Sequence, residues 1–214
     1  MTGQYLIMNV HLGKKFITLG IAALALGFPS LASGLETPLK LVKAPSGLSS
    51  GNGSCWAQEA KPGGEWKLPA FQAARPLYAV IKLGEREHLA VLDSKQAADA
   101  YYSRLWFDRD GDRDLTDEKP LDGVVYAENS GSYDTRFASI EATVQNGDML
   151  TLYTFVPGVR IGGTGPAGEK IFIFTYAAQS FYHSVFTVEG VRYQLWLCDE
   201  NANGRFTDRA KLID

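Results

Sequence analysis

From Leu77 onward the chain alternates apolar and polar residues with a period of two, in short runs closed by glycine-bearing turns. A period of two puts successive side chains on opposite faces of a strand, whereas a helix needs a period near 3.6. Leu77–Leu83 and His88–Leu92 flank Gly84-Glu85-Arg86-Glu87, a hairpin pattern. Arg136–Val144 and Met149–Val156 flank Gln145-Asn146-Gly147-Asp148, where Asn146-Gly147 is expected to form the turn, both residues at positive φ. Lys170–Tyr176, Tyr182–Val188 and Val191–Leu197 complete the series, and Ser94–Ser103 is the one helix candidate. The expected fold is mainly β, an antiparallel β-sandwich or open barrel.

The N-terminal third is of a different character. Lys14 and Lys15 precede an apolar run, Phe16–Phe28, too short to span a bilayer as a helix, and Ser30-Leu31-Ala32 supplies a small-residue cleavage site. Residues 1–32 therefore read as a signal peptide, and the protein as periplasmic or secreted, with no membrane span after cleavage. Residues 33–68 are rich in Gly, Ser and Pro and read as a linker or arm, with Trp56 and Trp66 as anchor points. Residues 69–214 form the expected β-rich domain.

Composition narrows the function. The full chain of 214 residues is 45% hydrophobic, which excludes wholesale disorder, and carries a net charge of −3. Removing residues 1–32 takes away two of the 21 basic residues and none of the 24 acidic ones, leaving −5. An acidic chain argues against nucleic acid as a partner. Cys55 and Cys198, without a Cys-x-x-Cys pair, are either one disulfide or two free thiols, and give no thioredoxin-like site. Gly163-Thr164-Gly165-Pro166-Ala167-Gly168 has dinucleotide-fingerprint spacing but is followed by a strand pattern, so it reads as a connection between strands. His88 and His183 are read as structural strand residues.

One local pattern occurs twice. Leu105-Trp106-Phe107 runs into an acidic loop, Asp108 to Asp117, and Leu195-Trp196-Leu197-Cys198 runs into another, Asp199 to Asp208. Both carry a large apolar residue at loop position 8 (Leu115, Phe206) and then Thr-Asp, which suggests an internal repeat at about 77–123 and 171–214. Oxygen-bearing side chains at positions 1, 3 and 5 converge when a loop curls around a hard cation, and a position-7 carbonyl commonly joins them. Those positions are Asp108, Asp110, Asp112 and the carbonyl of Asp114 in the first loop. In the second they are Asp199, Asn201, Asn203 and the carbonyl of Arg205. The competing reading is an Asx-rich surface turn that holds no metal. Against it, five aspartates crowded into the first loop repel one another unless a cation neutralises them.

These two stretches resemble the calcium loops of EF-hand and dockerin proteins, over about a dozen residues each. The resemblance implies a structural calcium ion coordinated by the aligned oxygens. It departs from the pattern at position 12, which is Lys119 and Ala210, so that Asp117 and Asp208 at position 10 are expected to substitute, with Asp122 and Asp214 as further acids. The usual glycine of position 6 is Gly204 in the second loop but Arg113 in the first, which has Gly111 at position 4. Tyr101, Tyr102, Trp106, Tyr182 and Trp196 near the loops offer surfaces for stacking sugars, or fill the core. The function expected is a secreted, calcium-stabilised binding or structural module, with extracellular glycan or an envelope protein as partner. The alternative is a carboxylate-based polysaccharide hydrolase, which requires two facing acids ~5–9.5 Å apart.

Overall fold

The computed structural model describes residues 7–12, 16–22, 35–43, 52–127, 133–164, 170–188, 191–199 and 202. Its elements are all strands, and no helix occurs among the described residues. The first five are β1 (Ile7–Leu12), β2 (Phe16–Ala22), β3 (Leu35–Pro38), β4 (Lys40–Lys43) and β5 (Asn52–Ala57). Then come β6 (Leu77–Leu83), β7 (Arg86–Asp93), β8 (Arg104–Phe107), β9 (Leu121–Asp122), β10 (Val124–Ala127) and β11 (Tyr133–Arg136). The series ends with β12 (Ile140–Asn146), β13 (Met149–Thr164), β14 (Lys170–Ala178), β15 (Ser180–Val188) and β16 (Val191–Cys198).

The chain divides into two units, residues 1–42, 181–198 and 206–214 in one, and residues 43–180 and 199–205 in the other. The first holds two small sheets, in the orders β1-β2-β3 and β16-β15-β4. The apolar run of the N-terminal segment enters this unit as β2, antiparallel to β1 and β3. In the second sheet His183 and Trp196 are directly opposed across β15 and β16, with ring centroids 4.1 Å apart.

The second unit carries the acidic loops' buried starting residues. Its smaller sheet runs β6-β7-β8-β9; its larger sheet runs β10-β11-β13-β14-β5, with β12 also paired to β13. All of these pairings are antiparallel, and among the described residues no sheet closes into a barrel. The mainly-β expectation holds, and the arrangement is consistent with a sandwich. β7 is the centre: His88 through Asp93 are all buried, because both faces of this strand are covered. On one face Leu89 and Val91 pack with Trp66 and Leu115, flanked by Leu68, Phe71, Tyr78 and Trp106. On the other side Phe107 stacks on His88 and on Phe174 of the larger sheet. Burying each of Leu89 and Val91 contributes roughly 1.5–3 kcal/mol.

Several expectations change here. The segment assigned to a linker supplies β5, an edge strand of the larger sheet paired with β14, so the packed region starts before Pro69. Trp66 is an anchor, at 6% exposure, but Trp56 is 68% exposed. The segment that follows the arm is pinned by buried Asp93, whose carboxylate accepts the backbone N–H groups of Gln72 (2.9 Å) and Ala73 (2.6 Å) and the indole N–H of Trp106 (3.2 Å). Ser94–Ser103 forms turns, not a helix. Residues 95–101 are exposed, leaving no apolar face to bury, and the Asp99 carboxylate accepts the Gln96 N–H and competes with helical pairing.

The hairpin turns follow one rule. Leu83 pairs with Arg86 and Asn146 with Met149, so the turn residues are Gly84-Glu85 and Gly147-Asp148, each with a positive-φ glycine first (64° and 56°). The second turn thus lies one residue later than expected, and Asn146 ends its strand. The expected Arg136–Val144 strand is split, because Phe137, Ala138 and Ser139 oppose only Val156 and Pro157 of β13. Pro157 has no N–H for the ladder, and its carbonyl accepts that of Phe137 instead. Thr164 ends β13 and Lys170 begins β14, so the glycine-rich stretch does join two strands, its residues 165–169 lying outside those described. Cys55 is a half-buried free thiol, pushed up to about 11 by burial.

Candidate metal centre

The first acidic loop begins inside the protein. Phe107 is fixed by its two ring contacts, so Asp108, the next residue, is 0% exposed. A buried carboxylate needs donors, and the loop curls to provide them. One oxygen of Asp108 accepts the N–H of Gly111 (2.9 Å) and the other that of Arg113 (3.3 Å). Both donors stand in left-handed backbone, at φ 71° and 69°. Glycine adopts this freely; for Arg113 it costs about 1–2 kcal/mol. That residue is retained by its side chain, which lies over the Trp66 ring at 5.3 Å and pairs with Glu87 at 3.0 Å.

A ladder of Asx turns carries the curl onward. Asp110 accepts the N–H of Asp112 (3.3 Å), Asp112 that of Asp114 (2.7 Å), and Asp114 that of Thr116 (2.9 Å). Leu115, 0% exposed, plugs the loop into the core beside Leu89 and Val91. The arm clamps the same point: Lys67 donates its N–H to the Arg113 carbonyl, and Leu115 donates to the Lys67 carbonyl. As a result Asp108, Asp110 and Asp112 converge, with one carboxylate oxygen from each within 4.8 Å of the others.

The remaining acids are sorted away from this group. The Asp114 carboxylate receives the Lys67 ammonium at 2.7 Å and the Thr116 hydroxyl, and these hydrogen bonds hold it down at about 2. Asp117 is exposed and lies outside the converging trio. Asp122 sits on β9 between Lys95 (3.2 Å) and Arg104 (3.4 Å). Burial pushes Asp108 up to about 6, its two backbone hydrogen bonds oppose the shift, and the charges of Asp110 and Asp112 add to it.

Around the trio are residues that sequence reading assigned no part in the site. His88 donates from Nδ1 to the Asp108 carbonyl at 2.8 Å, and burial pushes it below the ordinary histidine value, so a neutral ring holds the loop's first peptide. Arg86 donates to the Asp110 carbonyl at 2.7 Å and to the side chain of Gln145. Glu118 accepts the Arg109 N–H at 2.9 Å and faces the Arg109 guanidinium at 3.4 Å. Glu118 was detectable as the acid next to the vacant position 12. Lys67 and His88 come from distant segments, and no local signal marks them.

The second loop is described at two residues. Asp199 is 2% exposed and accepts the Tyr153 hydroxyl at 3.0 Å. Ala202, at position 4 like Gly111, has φ 52° and donates to the Asp199 carbonyl at 3.3 Å. Asn201, Asn203, Arg205, Asp208 and Asp214 lie outside the described residues. Of the aromatics near the loops, Tyr102 packs on Phe172, Trp106 on Phe71 and Trp196 on His183, while Tyr101 meets Tyr133 edge-on and stays 42% exposed.

The trio fits a hard cation. Its donors are all carboxylate oxygens, and His88 is turned to the backbone, which suits calcium or magnesium rather than zinc. Comparison with known proteins adds no identity: the chain matches no family model, and neither the curated proteins nor the solved structures compared with it give a match.

Proposed function

We propose that Asp108, Asp110 and Asp112 hold a calcium ion that fixes the first acidic loop to the β-sandwich, and that the protein acts outside the cytoplasm as a glycan-binding module. The convergence of three carboxylates within 4.8 Å, on a loop whose first acid is buried, carries the metal part of this reading. Calcium takes six to eight oxygens in flexible geometry, so three carboxylates, a position-7 carbonyl and water make an adequate set, whereas magnesium demands a tighter octahedron. The ion's role is structural: it neutralises a trio whose mutual repulsion opposes the curl that Leu115 and Lys67 lock in place. The lysine-flanked apolar run and small-residue site support export. No helix among the described residues is long and apolar enough to cross a membrane.

Calcium titration of the intact protein tests the metal part, with the melting temperature and tryptophan fluorescence as readouts. Trp66 touches the Arg113 guanidinium, so it reports on the loop directly. With a dissociation constant of ~0.1–1 mM, 10 mM calcium stabilises by ~1.4–2.7 kcal/mol and raises the melting temperature by roughly 3–10 °C. A melt and a fluorescence spectrum identical in calcium and in chelator overturn the assignment.

A further inference from the structure

The larger sheet has one covered face and one open face. Thr135, Val159 and Phe174, aligned across β11, β13 and β14, are buried on the core side. One residue along each strand, Tyr126, Asp134, Arg160, Ile173 and Trp56 align from β10 to β5. Opposed residues of antiparallel strands share a face and neighbours alternate, so this second line lies on the outside. Four strand spacings of ~4.8 Å make it about 19 Å long. Trp56, 68% exposed, and Tyr126, 50% exposed, stand at its two ends. Arg160 keeps a 3.7 Å contact with Asp134, and both side chains reach solvent. Arg136, opposite Val124 in the adjacent line, lies over the Tyr126 ring at 4.9 Å and has no carboxylate partner among the described residues.

We propose that this outer face binds a uronic-acid polysaccharide, with Trp56 stacking on a sugar ring and Arg136 and Arg160 holding carboxylates. The proposal rests on the glycan-module reading above and gives it a ligand class and a site. Single exposed aromatics are ordinary on protein surfaces. Two at opposite ends of one cross-strand line, with the Arg160 guanidinium between them and that of Arg136 over the Tyr126 ring, offer an extended ligand contacts along its length. Sugar C–H faces complement an aromatic π face, and a planar carboxylate matches the guanidinium fork. The charge agrees: the chain carries −3 overall, yet this strip sets two guanidiniums against one carboxylate. A second copy docking face to face would bring like charges together, which disfavours self-association here.

The test uses the intact protein in calcium, titrated by calorimetry with oligogalacturonate and, separately, with an uncharged cello-oligosaccharide. Expected are binding of the acidic oligomer alone, weakening with added salt, and a loss of about tenfold in affinity for both Trp56→Ala and Arg136→Gln. Both side chains are exposed, so the variants are expected to melt like the parent. The proposal is overturned if the parent does not bind the acidic oligomer, if the two substitutions leave affinity unchanged, or if the neutral oligomer binds equally well. It is equally overturned if light scattering shows a dimer that Trp56→Ala dissolves. Failure of the metal reading is separate: calcium then leaves the melt unchanged, whatever the sugar does.

Discussion

The two acidic loops start alike and spend their first carboxylate differently. Asp108 turns inward and gathers the N–H groups of Gly111 and Arg113, which builds its own loop. Asp199, equally buried, accepts a hydroxyl from Tyr153 on β13, 46 residues away, and so ties its loop to the larger sheet. Position 4 is nevertheless left-handed in both, as Gly111 in one and Ala202 in the other. Position 4 thus takes a left-handed backbone with or without glycine, and glycine makes it easier. Where the first loop lacks the usual glycine, at position 6, Arg113 bears the same conformation and is retained by Trp66 and Glu87.

The largest test of this contrast is paired. Asp108→Asn removes one of three converging carboxylates and is expected to abolish most of the roughly 3–10 °C calcium increment, as followed by calorimetry. Asp199→Asn keeps an acceptor for Tyr153 and is expected to leave the first loop's increment in place. Equal losses in both variants would mean that the loops act as one site.

Proton linkage separates the loops next. Asp108 is held near 6, above its unfolded value of 3.8, so the folded metal-free protein binds a proton more tightly than the unfolded chain does. That contribution is fully present below the unfolded value and is lost as pH rises through about 6. Urea titrations in chelator are therefore expected to show this part of the stability falling between about pH 4 and 7, by up to ~2–3 kcal/mol, with the trend flattened in Asp108→Asn. Calcium competes with that proton, so its affinity is expected to rise over the same interval.

Backbone substitutions give the smallest effects, of opposite sign. A Cβ at Gly111 meets Arg86 Cδ at 3.0 Å and His88 Cε1 at 3.1 Å, at φ 71°, so Gly111→Ala is expected to cost ~1–2 kcal/mol. Ala202→Gly relieves a strained left-handed residue and is expected to stabilise by ~0.5–1 kcal/mol, less than the cost at Gly111 because glycine also loosens the unfolded chain. Denaturation midpoints of the two variants read both signs.

Strand positions and the placement of Asp108, Asp110 and Asp112 were legible because they depend on local periodicity and spacing. What sequence could not show is the work of residues that meet only through the fold. The Asp114 carboxylate looks like one more free acid of the loop until Lys67, from the arm, pairs with it. Ser94–Ser103 has helix-compatible residues but lacks an apolar face to bury. Trp56 reads as an anchor of the arm and Tyr126, 70 residues on, as unrelated to it; they become a pair only through the register of five strands.

The bridge between Lys67 and the loop has a mechanical consequence. Two backbone hydrogen bonds, from Lys67 to Arg113 and from Leu115 back to Lys67, fasten the incoming chain alongside the loop like one more short parallel strand. Tension on the segment before Lys67 therefore loads those bonds in shear rather than peeling them one at a time. The resistance of that attachment to pulling, or to a protease waiting for the segment to lift, is set by how firmly the loop's own peptide groups are held.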